Sequence, residues 1–153
     1  MTGPVFVDTN VLLYALDAGV PAKQRAARSW RDALWRNRSG RVSFQVLQEF
    51  YVQACRLNPK AREAVRADIQ DLLSWDPVIC DETVLLLAFS LQDDFGLSFW
   101  DSLIVAAAHA AECRYLLTED LQHGQQIRDL LVVNPFKTRP EELEGWDIGG
   151  QAT

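Results

Sequence analysis

The sequence predicts an α/β fold, a single-domain three-layer sandwich in which a mainly parallel sheet of about five strands lies between layers of helices. Three observations predict it. Short apolar runs of strand length alternate with longer segments of helical periodicity, the pattern of βα units joined by right-handed crossovers. The 153 residues fill one domain and leave no room for a second. No repeat, Pro- or Ser-rich linker or low-complexity tract divides the chain. One unit over residues 1–140 is therefore expected, followed by an acidic, flexible tail over 141–153 that carries Gly149 and Gly150.

The elements follow in order. Val5-Phe6-Val7 is a short apolar run ending at Asp8, a strand that leads straight into a helical turn carrying Val11, Leu12 and Leu13. A basic helix is predicted over 22–37, with Ala26, Ala27, Trp30, Ala33 and Leu34 on its apolar face, and the polar stretch 37–40 ends it. Arg41-Val42-Ser43 is a second strand. The next helix starts near Phe44 and carries Leu47, Phe50, Tyr51 and Ala54 at helical spacing, so Glu49 projects from the flank of that stripe. Pro59 separates it from a helix over 60–73, and residues 77–80 read as a third strand. A helix with an apolar run over 84–89 is broken by Gly96, and Ser98 is placed to cap a helix that continues to Glu112. Residues 114–117 form a fourth strand and Leu130–Val133 a weaker fifth, stopped by Pro135.

Several classes are excluded at once. The longest apolar run, over 103–108, stops at His109, far short of the roughly 20 residues of a membrane span. No basic residue precedes the apolar run 5–7, and Asp8 and Asn10 interrupt it before a secretory signal could form, so a cytoplasmic protein is expected. Cys55, Cys80 and Cys113 are odd in number and far apart, which suggests neither a disulfide scaffold nor a zinc knuckle; they read as small buried hydrophobes. No phosphate-binding G-x-x-x-x-G-K loop occurs.

Charge is unevenly placed. Residues 1–66 carry a net +6 and residues 67–153 a net −12, so the overall −6 hides a basic first half. Arg25, Arg28, Arg31, Arg36, Arg38 and Arg41 cluster there, and arginine can bond two phosphate oxygens at once. The plain alternative is a solvated helix face.

The informative residues are Asp8, Glu49, Asp101 and Asp120, each beside a strand end or near a helix start. Such acids collect where open parallel sheets bind ligands, at the carboxyl ends of strands. Two carboxylates 4 Å apart repel by about 4 kcal/mol at an effective dielectric of 20, so a convergent set implies a cation. All-oxygen ligands favour a hard ion, Mg²⁺ or Mn²⁺, over zinc; His109 reads as a packed histidine. Each acid also has a structural explanation: Asp8 and Asp101 as helix-capping residues, Asp120 as a turn aspartate, Glu49 as a solvated helix residue. Trp30 and Trp35 could stack bases or pack in the core.

Together Val5-Phe6-Val7-Asp8-Thr9-Asn10-Val11-Leu12, Gln48-Glu49-Phe50, Trp100-Asp101-Ser102-Leu103-Ile104 and Leu116-Leu117-Thr118-Glu119-Asp120-Leu121 resemble the motifs of PIN-domain nucleases, especially VapC-type toxins, over residues 4 to 136. The resemblance implies that Asp8, Glu49, Asp101 and Asp120 bind metal and that Asn10 and Thr118 orient the acids or a water. It also implies a Mg²⁺- or Mn²⁺-dependent endoribonuclease that leaves a 5′-phosphate and a 3′-hydroxyl, acts as a homodimer and is silenced by a cognate antitoxin. The arginine segment then becomes a surface for RNA or for the antitoxin. Glu119 adjoins Asp120 but should point the other way. Two readings stay open beside this one: a PIN-like module that binds RNA or protein without cutting, and a phosphatase of the haloacid-dehalogenase type. The latter would want a second aspartate where Asn10 stands.

Overall fold

In a computed structural model, which describes residues 3–143, five short strands form one sheet: β1 (Val5–Val7), β2 (Gly40–Arg41), β3 (Tyr115–Leu117), β4 (Gln126–Ile127) and β5 (Leu130–Val133). Their order is β2-β1-β3-β5-β4, parallel throughout except for β4. Every residue of β1 and β3 is buried, as a sheet covered on both faces requires. The helices α1 (Thr9–Tyr14), α2 (Pro21–Asn37), α3 (Phe44–Leu57), α4 (Arg62–Leu72), α5 (Glu82–Phe95) and α6 (Phe99–Ala110) pack in two groups. α1 lies against α2 and α3, and α3 against α4, whereas α5 packs on α6, and α6 on β3 and β5. The expected α/β sandwich is therefore the fold.

The sheet order fixes where a site can form. From β1 the chain moves outward to β2, and from β3 it moves the opposite way to β5, so the winding reverses between β1 and β3. The parallel register pairs Val7 with Leu117, so the residues that follow them, Asp8 and Thr118, emerge side by side. The Asp8 amide donates to the Leu117 carbonyl at 3.1 Å and closes that edge.

Caps fix the helices that carry the other acids. Ser43 starts α3 by accepting from the Val46 amide, and Ser98 starts α6 by accepting from the Asp101 amide. Such caps satisfy amides that the first turn cannot pair internally. α2 opens on Pro21 and buries Ala27, Trp30, Ala33 and Leu34. The Trp30 indole N–H donates to the carbonyls of Pro135 and Thr138, each at 3.0 Å, which ties α2 to the segment after β5. Trp30 is thus a core residue, and Trp35 leans on Trp75 with ring centroids 5.8 Å apart.

Trp75 also explains Gly40. A Cβ on Gly40 would lie 2.8 Å from the Trp75 ring, so β2 passes the indole only because the side chain is absent. Gly40→Ala should cost about 1–3 kcal/mol as an overpacked core. In a chain of this size that lowers Tm by roughly 2–12 °C by calorimetry; an unchanged Tm would show that Trp75 moves aside freely.

Four expectations change. Residues 77–80 do not form a strand: Val78 makes one parallel bridge to Ser43, and Ile79 beyond it is 69% exposed. β4 appears instead, the outer arm of a hairpin turned at Arg128, whose φ is 55°. Of the cysteines only Cys113 is buried; Cys80, on the segment that stays out of the sheet, is exposed, and Cys55 is intermediate. Leu143 is buried in the core beyond the short 3-10 turn Pro140–Glu142. The rest of the acidic tail, residues 144–153, lies outside the described residues. His109 is the packed histidine expected, its Nε2 bonded at 3.2 Å to the Ile127 carbonyl and its pKa lowered by burial. Among the described residues no helix is long and apolar enough to cross a membrane.

Candidate active site

Asp8, Glu49, Asp101 and Asp120 line one cavity of about 240 Å³. They reach it from four directions: the end of β1, the second turn of α3, the first turn of α6 and the turn after β3. Leu13, Ile104 and Trp100 supply apolar wall, and Thr9, Asn10, Gln45 and Gln53 the rest of the polar lining.

Hydrogen bonds fix three of the acids. Asp8 accepts from the Thr9 amide at 2.7 Å and from the Thr118 hydroxyl at 2.8 Å. Glu49 accepts from the Thr9 hydroxyl on one oxygen and from the Gln45 amide on the other, both at 3.0 Å. Asp120 accepts from the Asn10 side-chain amide at 3.0 Å. Thr118 is the hub: fully buried, it donates to Asp8 and accepts from the Asn10 amide and the Asp120 backbone N–H, each at 3.1 Å. Asp101 is half-buried, its backbone held by Ser98. Asp8 does cap α1, through one oxygen of its own carboxylate, and the Asp101 amide is held by the Ser98 cap, yet all four carboxylates line the same cavity.

The electrostatics are those of a crowded anionic pocket. Burial pushes the Asp8 carboxyl up to about 6 from its ordinary 3.8; the Thr118 and Thr9 hydrogen bonds pull it down, and Asp120 and Glu49 add repulsion. Asn10 Oδ1 is buried with no donor, an arrangement that costs roughly 1–3 kcal/mol until a cation or a water meets it. Among the described residues no three His, Cys, Asp or Glu side chains close into a ready-made metal cage. A pocket this open, with only oxygen ligands, suits a hydrated hard cation. Mg²⁺ keeps several waters and takes one or two carboxylates rather than a full protein shell. The residues present therefore fit a divalent ion of the Mg²⁺ type.

Glu119 does turn away. It ion-pairs with Lys23 at 2.8 Å, and Lys23 sits over the Tyr14 and Phe136 rings. None of the six arginines lines the acid cavity. Arg25, Arg28 and Arg31 line a larger groove of α2, α3 and α4, where Arg31 is ion-paired with Asp68 and Arg28 donates to the Ala15 carbonyl. Arg36 and Arg38 are exposed near the end of α2, and Arg41 folds back on the carbonyls of Arg38 and Gly40. Sequence reasoning missed Thr9, Gln45 and Trp100. Thr9 carries no signal because its hydroxyl meets Glu49 only across the fold, and Gln45 none because a glutamine one turn before an acid is an ordinary helix residue.

Comparison with known proteins gives the family and the fold. The family model of the PIN domain matches residues 5–126, and the chain belongs to the PIN domain family, a family of nucleases. That membership removes the haloacid-dehalogenase reading. Comparison with curated proteins finds no match. Among solved structures, a toxin-antitoxin complex from Klebsiella pneumoniae is similar with a TM-score of 0.62 at 20% identity, over 86% of this chain and 97% of that one. VapBC2 from Rickettsia felis, bound to a DNA fragment from its promoter, is similar with a TM-score of 0.58 at 16% identity, over 84% of this chain and 96% of that one. At such identities the likeness is one of fold.

Proposed function

We propose that the protein is a divalent-metal-dependent endoribonuclease that hydrolyses RNA phosphodiester bonds, the VapC-type toxin of a type II toxin-antitoxin pair. The observation that carries the reading is the meeting of Asp8, Glu49, Asp101 and Asp120 on one cavity in a chain of the PIN family. These four acids hold Mg²⁺ or Mn²⁺. When bound, the ion lowers the pKa of a water, neutralises the scissile phosphate and steadies the departing oxyanion. The chain's own residues prepare the pocket. Thr118 and the Thr9 amide pull the Asp8 pKa down against its burial, Thr9 and Gln45 orient Glu49, and Asn10 orients Asp120.

The similarity to toxin-antitoxin complexes supports a cognate antitoxin as partner, and a homodimer as the working form is what the family resemblance implies. The arginine segment is the surface offered to an RNA backbone or to an acidic stretch of the antitoxin: Arg25 and Arg28 line the α2–α4 groove beside Asp17, Asp32 and Asp71, Arg31 is already committed to Asp68, and Arg36, Arg38 and Arg41 lie outside that groove. Purified protein should cut single-stranded RNA with Mg²⁺ or Mn²⁺, stop on addition of chelator and resume when the metal is restored. Cleavage that continues undiminished in chelator would overturn the metal mechanism, and failure to cut any RNA would favour the non-cutting binding module.

A further inference from the structure

The acid cavity accounts for a phosphate but leaves one of its walls without a role. Trp100 lines that cavity directly before Asp101 and is 63% exposed. Among the described residues it is the more exposed of two partly uncovered tryptophans, since Trp35 is 44% exposed and leans on Trp75. Its ring does not hang loose. Phe99 meets it edge to face with centroids 5.3 Å apart, and Phe99 is backed in turn by Phe89 at 6.0 Å. A braced, exposed indole loses little freedom when a flat partner settles on it. Leu13 and Ile104 line the same cavity as apolar surface.

We infer that Trp100 is a nucleobase-stacking platform: a base of single-stranded RNA adjoining the phosphate in the acid cavity lies on its indole face. The inference rests on the nuclease reading for its substrate and deepens it by naming a subsite. Two things make a base the fitting occupant. Asp101, one residue away, and the three acids that share the cavity are the phosphate end of the site, so the group presented beside them is the attached nucleoside. An aromatic face binds any base without a hydrogen-bond code, which adds affinity and little sequence preference.

The test is binding without cleavage. A short fluorescein-labelled single-stranded RNA is titrated by polarisation with Ca²⁺ in place of Mg²⁺, alongside an abasic ribose-phosphate oligomer of equal length and charge. Trp100→Ala should weaken binding of the RNA by roughly 5- to 150-fold, leave binding of the abasic oligomer unchanged, and Trp100→Phe should retain most of the affinity. Circular dichroism of both variants should match wild type, because the side chain is largely outside the core. Unchanged RNA affinity in Trp100→Ala, or an equal loss on the abasic oligomer, would overturn the platform. Because this reading needs no turnover, it is separable from the nuclease proposal. A protein that cuts nothing yet binds RNA over abasic oligomer through Trp100 retains the subsite and loses the catalyst; a protein that cuts normally with Trp100→Ala and binds equally loses the subsite alone.

Discussion

Asp8→Asn should abolish RNA cleavage while making the metal-free protein more thermostable than wild type. The first half follows from removing the most deeply placed of the four acids, 7% exposed and held between Thr9 and Thr118. Loss of one preorganised electrostatic group costs about 100- to 1,000-fold in kcat. The second half follows from the acid's own pKa. A carboxyl raised from 3.8 to about 6 on folding contributes fully below 3.8, and that contribution is lost as pH rises through 6; the ionised state then costs about 3 kcal/mol. Asparagine removes that charge, though its amide returns only part of the hydrogen bonding, since Thr118 already accepts from Asn10 and Asp120. A net gain of about 1–2 kcal/mol raises Tm by roughly 2–8 °C well above pH 6; below pH 3.8, where wild type no longer carries the charge, that gain should be gone and the lost hydrogen bonding should leave the variant the less stable of the two. Saturating Mg²⁺ should reverse the order, because it stabilises only wild type, by about 2.7 kcal/mol at a hundredfold excess over Kd. Calorimetry across pH checks all three. A destabilised metal-free variant would mean that the pocket is built for fold and not for charge.

Thr118→Val should lower cleavage at neutral pH by about 10- to 100-fold, the usual cost of losing a group that orients a metal-binding acid. The hydroxyl pulls the Asp8 pKa down, so removing it lets burial raise that pKa above 6. The acid limb of the kcat/KM profile, which reports the free enzyme, must then move to higher pH, and part of the loss should return in alkaline buffer. Asn10 and the Asp120 amide lose an acceptor in the same step. An unshifted pH limb would show that Thr118 merely fills space.

What the sequence disclosed and what it hid divide along physical lines. Asp8 and Asp120 were legible because each follows an apolar run too short for anything but a buried strand, and parallel pairing of β1 with β3 then sets them together. Asp101 was legible through Ser98, whose cap fixes the phase of α6. Glu119 could be set aside by the alternation of side chains at a strand end, and it does face Lys23. The run over 77–80 misled because apolar residues alone do not make a strand; Val78 finds one partner and Ile79 faces solvent. β4 was hidden because its turn uses Arg128 in the left-handed region with no glycine beside it. The role of Trp100 was hidden for a related reason: in the first turn of a helix, periodicity does not tell an inward aromatic from an outward one, and Phe99 beside it took the half-buried place. The arginines could be counted but not assigned, since Arg31 belongs to Asp68, 37 residues away.

The most direct test is calorimetric titration of Mn²⁺ into the RNA-free protein, in buffers of different ionisation enthalpy, near pH 6 where Asp8 is about half protonated. Wild type should show saturable binding that releases a fraction of a proton, and Asp8→Asn should show neither the affinity nor the release. Saturable binding of equal strength in both proteins, or no binding to wild type at all, would contradict the claim that these acids gather to hold a divalent cation.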